Sequence, residues 1–235
     1  MNIHEPQLAW LYWSLVLIGI WFVFYLLVHR KDRQKEMLLV SLWTSIFGLT
    51  EPLFVPEYWN PPSLFNLAHR TGFDIESLIF SFGIAGIAVV IYEWIFKTKH
   101  IFVPGMERQH PRHRYHLWAI ISAPIIFLIF YFLTDLNVIY STTIGLMGGG
   151  FFTWYCRPDL KKKMIISAFL FTGLYFLYFL TLIWAYPDYV EQVWNLKALS
   201  RILVLDIPLE EYLFAFSFGF LWSSIYEHIM WKKFF

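Results

Sequence analysis

Hydrophobic runs dominate the chain, and polar positions collect in the stretches between them. Seven runs approach the ~20 residues a helix needs to cross a bilayer: residues 8–28, 37–55, 74–96, 116–134, 137–156, 164–186 and 207–231. The fifth is the weakest, because Ser141, Thr142, Thr143 and the Gly148–Gly150 triplet dilute it. The first is expected to remain as a span, since no Lys or Arg precedes it and no small-residue cleavage site follows it. The pattern predicts an all-α integral membrane protein with seven transmembrane helices.

Composition agrees. Hydrophobic residues make up 58% of the chain and charged residues 15%, against roughly 25% charged in soluble domains. The single Cys excludes an internal disulfide framework, and Cys156 reads as a packed thiol. The net charge of +1 says little, but its distribution says much. Most of the 18 Lys and Arg fall between runs one and two, three and four, five and six, and after run seven. With seven spans these all lie on one side. The positive-inside rule makes that side cytoplasmic, which places the N-terminus outside and the C-terminus inside the cytoplasmic membrane.

The chain also repeats. Phe73–Trp94 slides onto Ile207–His228 so that Glu76 meets Glu210, Ser77 meets Glu211, and Tyr92-Glu93 meets Tyr226-Glu227. Upstream, VPEYW (Val55–Trp59) resembles YPDYV (Tyr186–Val190). The expected architecture is therefore two parallel three-helix repeats joined by a connecting helix. Residues 1–96 form the first repeat, 97–136 the cytoplasmic loop and connector, and 137–235 the second repeat.

Candidate chemistry centres on carboxylates in apolar surroundings, which are costly there and so mark functional sites. Glu210 and Glu211 follow Pro208 at a helix start, where the dipole favours them. Glu76, Glu51 and Asp74 fall at the same outer level, whereas Glu93 and Glu227 lie about 25 Å further along their helices. Several carboxyls in one apolar pocket supply an acid beside a base. Trp59, Phe80, Trp194, Tyr212 and Phe214 are the candidate rings around the substrate, since aromatic faces attract cations. His110, His113 and His116 have metal-like spacing, but with no Cys or carboxylate at ligand spacing they read as a solvated basic loop. No metal site or cofactor is expected: there is no phosphate loop, dinucleotide fingerprint or Asp-rich diphosphate motif.

At PLEEYLF (Pro208–Phe214) the chain resembles the lycopene cyclase domain family of membrane carotenoid cyclases. Pro187-Asp188, Trp194-Asn195 and Pro208-Leu209-Glu210-Glu211 match that family's pattern closely. The first copy departs from it, with Asp74-Ile75-Glu76-Ser77 in place of Pro-x-Glu-Glu. The resemblance implies protonation of a terminal double bond of lycopene, ring closure through a carbocation, and proton loss to a β-ionone ring. It implies no cofactor, and a carotenoid substrate drawn from the bilayer. It carries over Glu210 and Glu211 as catalytic residues, Glu76 as partner, and Glu51, Asp74 and Asp188 in support. The residues by themselves also admit a proton-coupled transporter, a non-catalytic carotenoid- or lipid-binding protein, or a double-bond isomerase acting on another isoprenoid. No nucleic-acid partner is expected.

Overall fold

The computed structural model describes residues 8–235. Met1–Gln7, and with them the N-terminus assigned to the outer side, lie outside the described residues.

Each apolar run is helical: α1 (Ala9–Leu27), α2 (Lys31–Ser45), α3 (Ile75–Phe96), α4 (His116–Leu133), α5 (Val138–Cys156), α6 (Lys161–Ala185) and α7 (Leu209–Trp222). Local chemistry sets several of the ends. Asp74 caps α3 by accepting from the Ser77 amide at 2.5 Å, and Asn137 caps α5 by accepting from the Ile139 amide. Past α2, Pro52 has no N–H to continue the α ladder. The chain accordingly tightens into a 3-10 stretch (Ile46–Thr50) and restarts as one turn, Glu51–Phe54.

Among the described residues, five stretches are long and apolar enough to cross a membrane: Ala9–Leu27, Lys31–Phe54, Ile75–Phe96, Pro111–Leu133 and Pro158–Ala185. The hydroxyls and glycines of α5 lower its hydropathy. α7 stops after 14 residues, where Ser223 and Ser224 turn the chain into the short helix Ile225–Ile229. The exposed faces are those of a membrane protein. α1 buries Trp10, Trp13, Leu17, Trp21 and Phe24 at helical spacing, yet its opposite face shows Leu15, Val16, Phe22, Val23 and Leu26 rather than polar residues.

α3 lies against both α1 and α2, and α7 lies against both α5 and α6; α4 packs on α5, and α3 touches α6 and α7. Close approach needs small residues. A Cβ at Gly86 would sit 2.2 Å from Ser41 Oγ, and one at Gly149 would sit 2.6 Å from Ala123 Cβ.

Two loops meet at one end of the bundle. Trp59 and Trp194 form an isolated antiparallel bridge, flanked by Asn60 N–H donating to Val193 O (2.8 Å) and Asn195 N–H donating to Tyr58 O (2.9 Å). At the end where the chain terminates, strand β1 (His100–Phe102) pairs with the terminal strand Lys232–Phe234. There a buried ion network ties four elements together. Lys163 Nζ of α6 bridges Glu93 of α3 (2.5 Å) and Glu227 of the last helix (2.8 Å), and Arg33 of α2 pairs with Glu36 (3.3 Å) and Glu93 (3.4 Å). Arg33, Arg157 and Lys163, which the sequence places in basic loops, are thus buried.

Candidate active site

Glu211 sits in the first turn of α7 and is buried. Its carboxylate collects donors from three elements. Tyr58, on the loop after α2, donates its hydroxyl to Oε1. The Trp194 indole N–H donates to the same oxygen at 2.9 Å. Tyr175 of α6 donates its hydroxyl to Oε2 at 2.7 Å. The Trp59–Trp194 bridge fixes the backbone beside two of these donors. Burial, and then the neighbouring Glu211 carboxylate, hold the Tyr58 hydroxyl well above the usual phenol range, so it remains a donor.

One face of this group opens into a cavity of about 430 Å³, within the size range of small-molecule sites. Among the described residues its carboxylates are Glu211 and Glu51. Glu51 is buried beside the Ser77 hydroxyl and the Trp59 indole, and its Oε1 has no hydrogen-bond partner among the described residues. The rest of the wall is mainly apolar and aromatic, with Trp10, Trp13, Phe80, Phe214, Phe218 and Trp222 prominent. It extends to Phe47 and Leu128, both about half exposed on the apolar outer surface (53% and 47%). The cavity therefore reaches the apolar outer surface of the helices.

The other candidate acids are placed elsewhere. Glu210 accepts from the Tyr140 hydroxyl (2.5 Å) and the Ser200 amide (2.8 Å). Glu76 accepts from the Leu64 amide (2.7 Å). Each of these two residues thus holds the loop that precedes its own helix. Asp74 caps α3 and is buried. Asp188 is exposed on the turn before Tyr189–Val193. Of the candidate rings, Trp59, Phe80, Trp194 and Phe214 line the cavity. Tyr212 does not: its hydroxyl donates to Val204 O at 3.0 Å, and its ring stacks on Phe176.

Residues 137–229 match the family model described as lycopene cyclase. This segment, about two-fifths of the chain, is similar to a lycopene cyclase domain. It spans α5, α6 and α7 together with the loop that carries Trp194. No curated protein and no solved structure matches the chain. The matched segment supplies Glu211, Tyr175, Trp194 and Phe214, and residues outside it, including Glu51, Tyr58, Trp59 and Phe80, complete the same cavity.

Sequence reasoning passed over Tyr175, because a tyrosine within an apolar helix carries no mark that separates a donor from packing. It also misjudged the histidines. His113 and His116 are buried, not solvated, because they turn inward onto Cys156 of α5; His110 alone of the three is exposed.

Proposed function

We propose that the chain is a carotenoid cyclase that closes the ends of lycopene into β-ionone rings by a redox-neutral, acid–base isomerisation. The observation that carries this reading is the pair Glu51 and Glu211 on one aromatic-lined cavity, about a third of whose lining comes from the segment that matches lycopene cyclase. In this scheme Glu51 gives a proton to the terminal double bond. The next double bond attacks the resulting cation and closes a six-membered ring. A proton then leaves the ring carbon beside the new cation, and Glu211 accepts it. One proton enters and one leaves, so the formula is unchanged and no redox partner is needed.

The roles follow from hydrogen bonding. Glu211 receives three donors, which suits an acceptor and a fixed counter-charge to the cation. Glu51 has one bare buried oxygen, which suits a carboxyl that keeps its proton until substrate arrives. The indole and phenyl faces stabilise the cation without capturing it as water would. The opening at Phe47 and Leu128 lets the remainder of a long polyene stay in the bilayer while one end enters.

The same proposal takes α1–α3 and α5–α7 as two parallel three-helix repeats joined by α4, with seven spans and the basic end facing the cytoplasm. The equivalent parts of Glu76 and Glu210, and of Glu93 and Glu227 on Lys163, support it.

The test is pigment analysis of a lycopene-accumulating bacterial host expressing the chain, with Glu51→Gln and Glu211→Gln beside it. Monocyclic or bicyclic carotene from the wild type and lycopene alone from both variants is the expected result. A well-expressed wild type that leaves lycopene unchanged overturns the proposal.

A further inference from the structure

Three potential metal ligands converge at the base of α4, two from one turn of chain and the third from another helix, all unused by the chemistry above. His113 Nδ1 and His116 Nδ1 each lie 3.4 Å from Cys156 Sγ, and the three ligand atoms lie within 4.8 Å of one another. All three residues are buried. In a tetrahedral zinc site, with Zn–S near 2.3 Å and Zn–N near 2.1 Å, the sulfur-to-nitrogen edge is about 3.6 Å. The observed edges are close to that length. A thiol can give each imidazole at most one weak hydrogen bond, donated to one and accepted from the other, whereas a metal holds all three groups directly. On a further side stands His228, fully buried, with its ring 4.5 Å from that of His116 and its Nε2 unpartnered among the described residues; its Nδ1 is 3.3 Å from Thr153 Oγ1.

We propose that His113, His116 and Cys156 bind one zinc ion, with His228 packed against His116 beside the site. The ligand set is thiolate plus imidazole, which selects zinc over magnesium or calcium. The bound thiolate offsets one of the two metal charges. The nearby Arg157 guanidinium is already neutralised by Asp159 at 2.6 Å. Arg112 Nε lies 3.4 Å from His113 Nε2. That ring nitrogen carries the proton when Nδ1 holds the metal, so Arg112 turns to its other partner, Glu107 (3.8 Å). The site pins the start of α4 to the end of α5, joining α4 to the segment that matches lycopene cyclase. Trp231 stacks on His116 at 4.0 Å and reports occupancy.

The test uses the full-length chain, purified in detergent under reducing conditions. Elemental analysis should find about one zinc per chain. Exchange with cobalt(II) should give a near-ultraviolet thiolate-to-cobalt band, strong visible bands and quenched tryptophan emission. Cys156→Ser and His113→Asn should weaken cobalt binding at least ~10-fold, while His110→Asn, at the exposed histidine of the same loop, should leave it unchanged. The wild-type titration needs no variant. A wild type that carries no zinc and gives no thiolate band with cobalt overturns the proposal, as does Cys156→Ser binding cobalt with an unaltered spectrum.

Discussion

Tyr58 and Glu211 lie 153 positions apart, and the phenol of the first donates to the carboxylate of the second. This contact joins the loop after α2 to the first turn of α7, and so couples the part of the chain outside the segment that matches lycopene cyclase to the acid inside it. Tyr58→Phe removes one of three donors and leaves the ring in place. A hydrogen bond to a charged group contributes about 1.5–3 kcal/mol, so ring formation in isolated membranes should slow by about 10–100-fold. Expression should be unchanged. An unaltered rate would remove Glu211 from the chemistry.

Adjacent carboxylates should separate by role. Glu210 holds Ser200 and Tyr140, whereas Glu211 lines the cavity. Glu210→Gln should lower thermal stability in detergent by about 1–3 kcal/mol and retain cyclisation. Glu211→Gln should lose cyclisation. Equal loss in both, at equal protein level, would contradict this division.

The ion network makes a prediction about stability alone. Lys163→Met removes the cation between Glu93 and Glu227 in a buried site, leaving Glu93 to Arg33 and Glu227 to His100, at a cost of about 3–5 kcal/mol. Adding Glu93→Gln should recover part of that loss. Unfolding in detergent, followed by circular dichroism, measures both. A melting curve for Lys163→Met that overlays the wild type would contradict the network's role.

Gly48 presses α2's 3-10 extension against α3. A Cβ there would fall 2.6 Å from Leu78 N and 2.7 Å from Ser77 C, and backbone cannot yield as a side chain does. Gly48→Ala should destabilise by about 1–3 kcal/mol and slow ring formation, because Ser77 stands beside Glu51 at the cavity. Gly19→Ala, with nothing within 4 Å, should be neutral in both assays. A neutral Gly48→Ala would show that α3 shifts freely.

The helices were legible because an apolar run with polar ends has few other structures open to it. So was the oddity of Glu210-Glu211. Which of the two faces the cavity was not, because neighbours on a helix point about 100° apart and neither face carries a marker. Glu51 was visible as a candidate, but its meeting with Glu211 depends on Pro52 and Gly48 shaping the end of α2, and on the Trp59–Trp194 bridge. Lys163 read as one of several cytoplasmic cations. Its burial follows from Glu93 and Glu227, which the offset matching Glu76 to Glu210 also superimposes. The histidines were misread for a similar reason: their third ligand, Cys156, comes from another helix and cannot be found by local spacing.

The most direct measurement is the mass of the carotene formed when membranes bearing the wild-type chain convert lycopene in D2O. If a carboxyl that exchanges with solvent adds a proton to the terminal double bond and a different hydrogen is lost, the product carries one deuterium for each ring closed. Cyclised product without deuterium would contradict protonation by Glu51 as the step that starts ring closure.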